Sequence, residues 1–368
     1  MSRFGAEVAR RRVPISVTLE LTRRCNLRCV HCYLGSQEVV RESREQEMTT
    51  EQILSVIDQA VEAGCLYLLI TGGDPMMRRD FAEIYRHARQ SGLVVTVFAD
   101  GVLVTDAVVE LFRELPPRMV EISLYGATAE TYETVTRVEG SYDKCLRGVH
   151  RLLDAGIEVG FKTVLMTVNQ HELEAMRTLA EDLGVDFRID AAIFPCLSDG
   201  NRDPLALRVA PAVGVDGELA APGAVSKLRE YVEKRSDIPV SDRLYGCGAG
   251  VTGFSVDPYG WASPCLMATH VRANLLERGL NEVWNDDLKM VMDRPAPAGY
   301  ACSSCEMRVA CMVCPAFNYL ETGSEDVPSE YLCAATAIRW KRINDANPGG
   351  VDCDIRTATG EIWEGSTE

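Results

Sequence analysis

The 368-residue chain lacks any run near the roughly 18 uninterrupted apolar residues of a membrane-spanning helix. Its start, Met1 to Arg12, is charged and has no apolar stretch behind it, which excludes a secretion signal. Positive charge is short as well. With 38 basic against 54 acidic side chains, the formal net charge is -16, a balance that repels a phosphate backbone and excludes nucleic acid as a partner. Histidine is scarce, and His87, His150, His171 and His270 stand apart from any motif. These absences lead us to expect a cytoplasmic protein without membrane or nucleic-acid business.

Apolar residues are plentiful, at 46%, enough to bury a sizeable core. Fourteen cysteines in a chain without a secretion signal read as metal or redox ligands, because cytosolic thiols stay reduced. They fall into an early group, Cys25, Cys29 and Cys32, and a late group, Cys247, Cys265, Cys302, Cys305, Cys311, Cys314 and Cys333. Cys65, Cys145, Cys196 and Cys353 are scattered. The first two suit small buried residues, and Cys353 lies in a polar tail.

Apolar periodicity predicts strands over 17–22, 66–71, 94–99, 119–124, 159–166 and 187–193. Helices are expected between them, the first capped by Thr49 or Thr50, the second running through about Arg89, and the others over 106–114, 142–155 and 172–183. Strands alternating with helices argue for parallel β/α organisation, open or curled into a barrel. Glycine, serine and cysteine clusters sit at the C-terminal strand ends, where such sheets place their sites. The expected division is an N-terminal tail 1–15, a β/α unit 16–194, a connector 195–240 with one amphipathic helix, a cysteine-rich unit 241–343 and a tail 344–368.

The early cysteines have the spacing Cys25-x3-Cys29-x2-Cys32. Structural zinc favours paired C-x2-C knuckles and four-coordinate closure, which this pattern fits poorly. Three thiolates on an iron-sulfur cube, with one iron left open, fit better. This stretch after a first strand resembles the radical S-adenosylmethionine (SAM) superfamily, over roughly 17–193. The resemblance implies a partial (β/α)6 TIM-like barrel. It also implies a 4Fe-4S cluster on Cys25, Cys29 and Cys32 whose open iron chelates SAM. Reductive cleavage of SAM would then give a 5'-deoxyadenosyl radical that abstracts a substrate hydrogen, the cofactor carrying the hard chemistry.

Other motifs join this resemblance. Gly72-Gly73-Asp74-Pro75 is similar to the GGEP motif that meets the SAM amino group, with Asp in place of the usual Glu. Ser123 matches a hydroxyl position facing SAM, and Tyr125 stands where many relatives carry Asp. Arg137 and Lys162 become candidates for the SAM carboxylate and ribose. Phe98-Ala99-Asp100-Gly101 lies where relatives often show Thr-Asn-Gly. His31 takes the aromatic slot before the third cysteine, which implies cover for the cluster rather than ligation.

The late array, Cys302-x2-Cys305-x5-Cys311-x2-Cys314, serves zinc or iron-sulfur equally when read alone. Behind a radical SAM core, with Cys247, Cys265 and Cys333, it resembles the SPASM extension and its two auxiliary 4Fe-4S clusters. Ala273-Asn274-Leu275 and Glu282-Val283-Trp284 also look like that extension's sequence pair. The resemblance implies Cys247, Cys265 and Cys314 on the nearer cluster and Cys302, Cys305, Cys311 and Cys333 on the outer one. The nearer set is one thiolate short, which Cys196, water, another side chain or substrate would fill. Cys311 and Cys314 are one residue closer than is usual in that extension.

Most SPASM relatives modify peptides or proteins, and another branch acts on tetrapyrroles. Sulfatase maturases place an Asp base after the cysteine aligned with Cys265, where this chain has Leu266, which argues against that reading; no catalytic acid or base is assigned. The leading expectation is a peptide-modifying radical SAM enzyme, with a tetrapyrrole or small-cofactor enzyme as the alternative. The other class is a non-catalytic iron-sulfur or zinc protein. A flavodoxin or ferredoxin is expected as electron donor. With only the opening residues before the first strand, leader-peptide recognition would fall to a separate protein or be absent.

Overall fold

A period-2 alternation organises the sheet. In β1 (Ser16–Glu20) Val17 and Leu19 enter the main apolar core while Thr18 and Glu20 take the other face. The same division holds in β2 (Tyr67–Thr71), β3 (Val94–Ala99), β4 (Met119–Ser123) and β5 (Val159–Val164), whose core members include Ile70, Val97, Ile122 and Phe161. Phe98, Ser123 and Lys162 therefore share the inner face with Glu20. The computed structural model describes residues 3–35, 44–236, 242–311 and 313–345.

Helices cover the apolar face. Helix α2 (Thr50–Glu62; α1 is described below) starts at a capping box in which Thr49 accepts from Gln52 N and the Gln52 side chain accepts from Thr49 N. Such a cap is worth about 1 kcal/mol. The helix buries Ile53, Val56, Ile57 and Ala60 on the sheet. Helices α3 (Phe81–Gln90), α4 (Asp106–Glu114), α5 (Ala129–Thr136), α6 (Ser141–Asp154) and α7 (Leu173–Leu183) follow between strands. Strand β6 (Asp186–Asp190) closes the series.

The strand order is β6-β5-β4-β3-β2-β1 and then, across β1, β7 (Gly253–Val256), β8 (Trp261–Ser263) and β9 (Ala273–Asn274). Strands β1 to β7 are parallel, with Glu20 opposite Thr71 and Val17 opposite Phe254. Strands β8 and β9 run antiparallel. The sheet is open, as a partial barrel requires.

Several details differ from expectation. Residues 1–15, read as a tail, carry α1 (Arg3–Arg11), and Arg12 lies over the Trp284 ring at 4.3 Å while Trp284 Nε1 donates to Arg12 O. The late cysteine-rich stretch is not set apart from the sheet, since β7 pairs with β1. Helix α5, rich in Thr and Glu, was not predicted; Thr128 caps it and buried Tyr132 anchors it. The connector holds α8 (Pro211–Leu219) beside α9 (Ala224–Ser236). Two glycines in α8 argue against a helix by propensity, yet Gly214 and Gly217 are buried, the latter where a Cβ would stand 3.2 Å from Leu165 and Leu173.

Beyond β9 come α10 (Leu280–Val283), a π-helical turn Trp284–Leu288, α11 (Lys289–Met292), α12 (Pro315–Thr322) and α13 (Glu330–Asp345). Cys353 and most of the expected tail 344–368 lie outside the described residues.

Candidate active site

The loop from Cys25 to Tyr33 is held by the glycine turn after β2. Gly73 N donates to Thr22 O at 2.8 Å and Asp74 N to Arg24 O at 3.0 Å. Gly72 has φ +141°, and a Cβ there would lie 2.2 Å from Thr22 O; one on Gly73 would lie 2.2 Å from Arg24 O. Only glycine permits this approach. The turn thus fixes the chain just before its first cysteine.

A cavity of about 630 Å³ opens at the C-terminal strand ends. Cys25, Cys29 and Cys32 line it together with Gly72, Gly73, Ser123, Arg137 and Lys162. The sequence-derived set is therefore gathered around one space, with one correction. Asp74 is fully buried and stands behind the wall. Its Oδ1 accepts from Met76 N at 2.8 Å and its Oδ2 from Asp100 N at 3.0 Å. A shorter side chain than the usual Glu is consumed in bracing the turn.

Burial dominates the electrostatics. It raises the Cys29 thiol well above its ordinary range, and the neighbouring Cys32 and Asp100 add to this. Cys25 and Cys32 are also raised, by burial first. Asp100, beside Asp74, is raised well above the ordinary carboxyl range by burial and then by that second carboxyl. Lys162 is pushed down to about 8 by burial and lies 3.5 Å from the Phe98 ring centroid. His31, pushed down to about 4 by burial, sits edge-on to Tyr125 at 4.7 Å.

This donor set fits an iron-sulfur cluster. All thirteen described cysteines are free thiols. Buried thiols raised in this way become thiolates where bound metal supplies positive charge. Three thiols lining one broad cavity suit a multi-iron cluster.

The late cysteines form two further groups. Cys265 is raised by burial and then by Cys247; Cys314, pushed up to about 12, by burial and then by Cys265 and Cys247. Cys333, pushed up to about 11, is raised by burial and then by Cys311, Cys302 and Cys305. Beside the first group Glu325 accepts from Tyr245 Oη at 2.5 Å, Arg294 Nη2 at 2.8 Å and contacts His270 Nε2 at 2.8 Å. His270 stacks on Tyr319 at 3.7 Å.

Cys196 belongs elsewhere. Its Sγ donates to Cys32 O at 3.2 Å, and it lines the large cavity. Sequence reasoning had considered it for the nearer auxiliary group. Asn201, Asp203 and Pro204 of the connector also line that cavity, and were missed because an irregular segment gives no periodic signal. Cys65 and Cys145 are buried in the core, as expected.

Comparison with known proteins places these observations. The family model described as "Radical SAM superfamily" matches residues 19–182. The mycofactocin maturase MftC of Mycobacterium tuberculosis (strain H37Rv) is 31% identical over 338 residues, covering 85% of this chain and 82% of that protein. The AdoMet-dependent heme synthase of Methanosarcina barkeri is 27% identical over 340 residues, covering 86% and 95%. Streptococcus suis SuiB bound to its precursor peptide SuiA superposes with a TM-score of 0.69 at 15% identity, covering 89% of this chain and 78% of that one. At that identity the likeness speaks for the fold. Family match, relatives, fold and thiol cavity agree: the chain belongs to the radical SAM superfamily.

Proposed function

We propose that this radical SAM enzyme modifies a peptide, with Cys25, Cys29 and Cys32 holding the SAM-binding 4Fe-4S cluster. Gly72, Gly73, Ser123, Arg137 and Lys162 would receive SAM. When bound, cluster and SAM together supply an electron and a carbon radical that removes a hydrogen atom from the substrate. The chain's own residues do the rest. The glycine turn sets the distance of the cysteine loop from β2. Arg137 and Lys162 offer positive charge to a carboxylate and hydroxyl groups. Phe98, Tyr125 and His31 keep water from the buried thiols.

Two auxiliary 4Fe-4S clusters would sit on Cys247, Cys265 and Cys314 and on Cys302, Cys305, Cys311 and Cys333. The grouping of these thiols in the fold supports that division. Residues 16–194 would act as the barrel, 195–240 as a wall of its mouth and 241–343 as the auxiliary-cluster unit. A flavodoxin or ferredoxin would deliver the electron in the cytoplasm, where thiols stay reduced. No described helix is long and apolar enough to cross a membrane. A separate leader-binding protein would present the peptide.

The observation that carries the peptide reading is the 31% identity to a maturase over 82% of its length. A tetrapyrrole reading has its own support in the heme synthase, of which 95% is covered at 27% identity. Reconstituted enzyme with SAM and dithionite separates them. We expect 5'-deoxyadenosine and a mass change in a synthetic peptide encoded beside the gene. Conversion of a tetrapyrrole and not the peptide would favour the second reading; no 5'-deoxyadenosine from cluster-replete protein would sink both.

A further inference from the structure

The connector supplies one wall of the large cavity, through Cys196, Asn201, Asp203 and Pro204. It is fastened to the end of the cysteine loop, where Cys196 Sγ donates to Cys32 O at 3.2 Å and Leu197 N to Tyr33 O at 2.8 Å. The segment also closes on itself, since Cys196 N donates to Asn201 O and Gly200 N to Cys196 O, both at 2.9 Å. Asp203 N donates to Asn201 Oδ1 at 2.9 Å, and Asn201 Nδ2 donates to Asp203 Oδ2 at 3.3 Å. With Pro204 buried beside it, the Asp203 carboxylate is held in place on the wall.

Two carboxyls line the cavity, and they differ. Asp100 is buried, its Oδ1 accepts from Val102 N at 2.8 Å, and it stands beside the second acid Asp74. Asp203 is exposed to the open space. The cations of the lining are Arg28, Arg137 and Lys162. Arg28 N donates to Thr136 O at 2.9 Å, which brings that residue beside the end of α5 that carries Arg137. Among the described residues no ion pair joins Asp203 to these cations or to any other. The cavity therefore offers positive charge to an anion and, from Asp203, a carboxylate to a cation.

We propose that Asp203 is a specificity-determining residue that receives a cationic group of the substrate, a protonated amine or guanidinium of a peptide. The inference rests on the peptide reading above and narrows it to peptides that carry positive charge near the modified residue. In that reading SAM is met by the strand ends and by Arg137, whereas Asp203 comes from the connector, the part of the wall those residues leave to the substrate. A charge-assisted hydrogen bond to a carboxylate is roughly twice as strong as a neutral one. Anchoring one charged group also orients a flexible chain, so that one carbon is presented to the SAM-derived radical. The same charge works against the alternative substrate. A tetrapyrrole bearing carboxylate arms would bring like charge to Asp203, and such repulsion discriminates between partners as contact does.

Two measurements on cluster-replete enzyme with saturating SAM test this, and only the second needs turnover of the peptide. In the first, acetyl-Gly-Lys-Gly amide and its norleucine counterpart are titrated calorimetrically into wild type and Asp203→Asn. We expect wild type to bind the lysine tripeptide about tenfold more tightly. The preference should disappear in Asp203→Asn and shrink as salt rises. No preference in wild type, or one that survives Asp203→Asn, overturns the proposal.

In the second, with the synthetic peptide as probe, Asp203→Asn should raise KM about tenfold and keep kcat within about twofold. Asp203→Lys should prefer a peptide whose basic residue nearest the modified position is replaced by Glu, an inversion that a merely structural role does not produce. An unchanged KM, a parallel loss of kcat, or weakened SAM binding in place of weakened peptide binding overturns the proposal. Equal turnover of a peptide without that positive charge overturns it too. Wild-type enzyme inert toward every peptide sinks the peptide reading, and the tripeptide titration then decides on Asp203 by itself.

Discussion

The barrel and the late cysteine-rich segment are held together by different physics. The barrel core runs unbroken from Val17 through Phe161 and takes in side chains from every strand of the parallel series through β5. The late segment's own apolar cluster has seven buried members, among them Tyr245, Met292 and Ala316, with Cys265, Cys302 and Cys314 at its edge. Its strands, α10 and their flanks join the main core through Phe254, Val256, Ala262, Leu275, Leu280, Val283 and Trp284, so the contrast falls on the stretch beyond Leu288, where few apolar side chains oppose the conformational entropy of ordering. With the late cysteines as metal ligands, metal-thiolate bonds and the Glu325 ion network would supply the difference there, and that stretch would loosen without cofactor while the barrel persists.

The largest effect expected from that contrast comes from removing metal. Apo protein, prepared anaerobically with chelator and reductant, should be cleaved within 296–333 on the order of a hundredfold faster than holo protein. Peptides from β2 to β5 should keep their amide-exchange protection. Equal protection of both regions in the apo form would break the comparison.

Next in size is a cavity in the barrel. Ile70 is wholly buried in β2, and Ile70→Ala should cost about 3–4 kcal/mol. Val291, 8% exposed in the small cluster, should cost about 1–2 kcal/mol as Val291→Ala. Denaturant titration of the holo protein reads both. A larger loss at Val291 would mean that the late segment is also held by its apolar packing.

Glu325 tests the ionic part. Burial raises its carboxyl, but hydrogen bonds from Arg294, Tyr245 and His270 outweigh burial and hold it below the ordinary range. A depressed carboxylate contributes stability above its unfolded-state pKa and loses it as pH falls through the folded-state value. Glu325→Gln should therefore cost about 1–2 kcal/mol at neutral pH. The difference from wild type should be full above about pH 4.3 and shrink as pH falls further, through the depressed folded-state value. A pH-independent gap would assign the loss to packing.

The same contrast explains what could be read from the sequence. Strand and helix periods in the barrel come directly from burial, so β3 and α4 lie where their apolar spacing puts them. The cysteine loop was legible because metal chemistry demands fixed residue types at fixed spacings. Helix α8 was not, because tertiary contacts at Gly214 and Gly217 override propensity. Nor was the retreat of Asp74, since only the fold reveals that its two oxygens are taken by Met76 N and Asp100 N.

The smallest expected effect lies where the two kinds of constraint meet in one residue. Arg137 ends α5 in the left-handed region, at φ 55° and ψ 31°, where a non-glycine residue costs about 1 kcal/mol. Glycine there would remove that strain, and part of the gain is returned as greater freedom of the unfolded chain. Arg137→Gly should thus stabilise the protein by about 0.5 kcal/mol, raising the melting temperature by roughly 1–2 °C. If the side chain also meets the SAM carboxylate across the large cavity, the same variant should bind SAM about tenfold more weakly. Calorimetric melting and SAM titration on the same holo preparation read the two effects separately. A variant that is more stable and binds SAM as wild type does would leave Arg137 with no role at the cofactor. A variant that is less stable would show that the arginine side chain contributes more to the fold than its backbone strain removes.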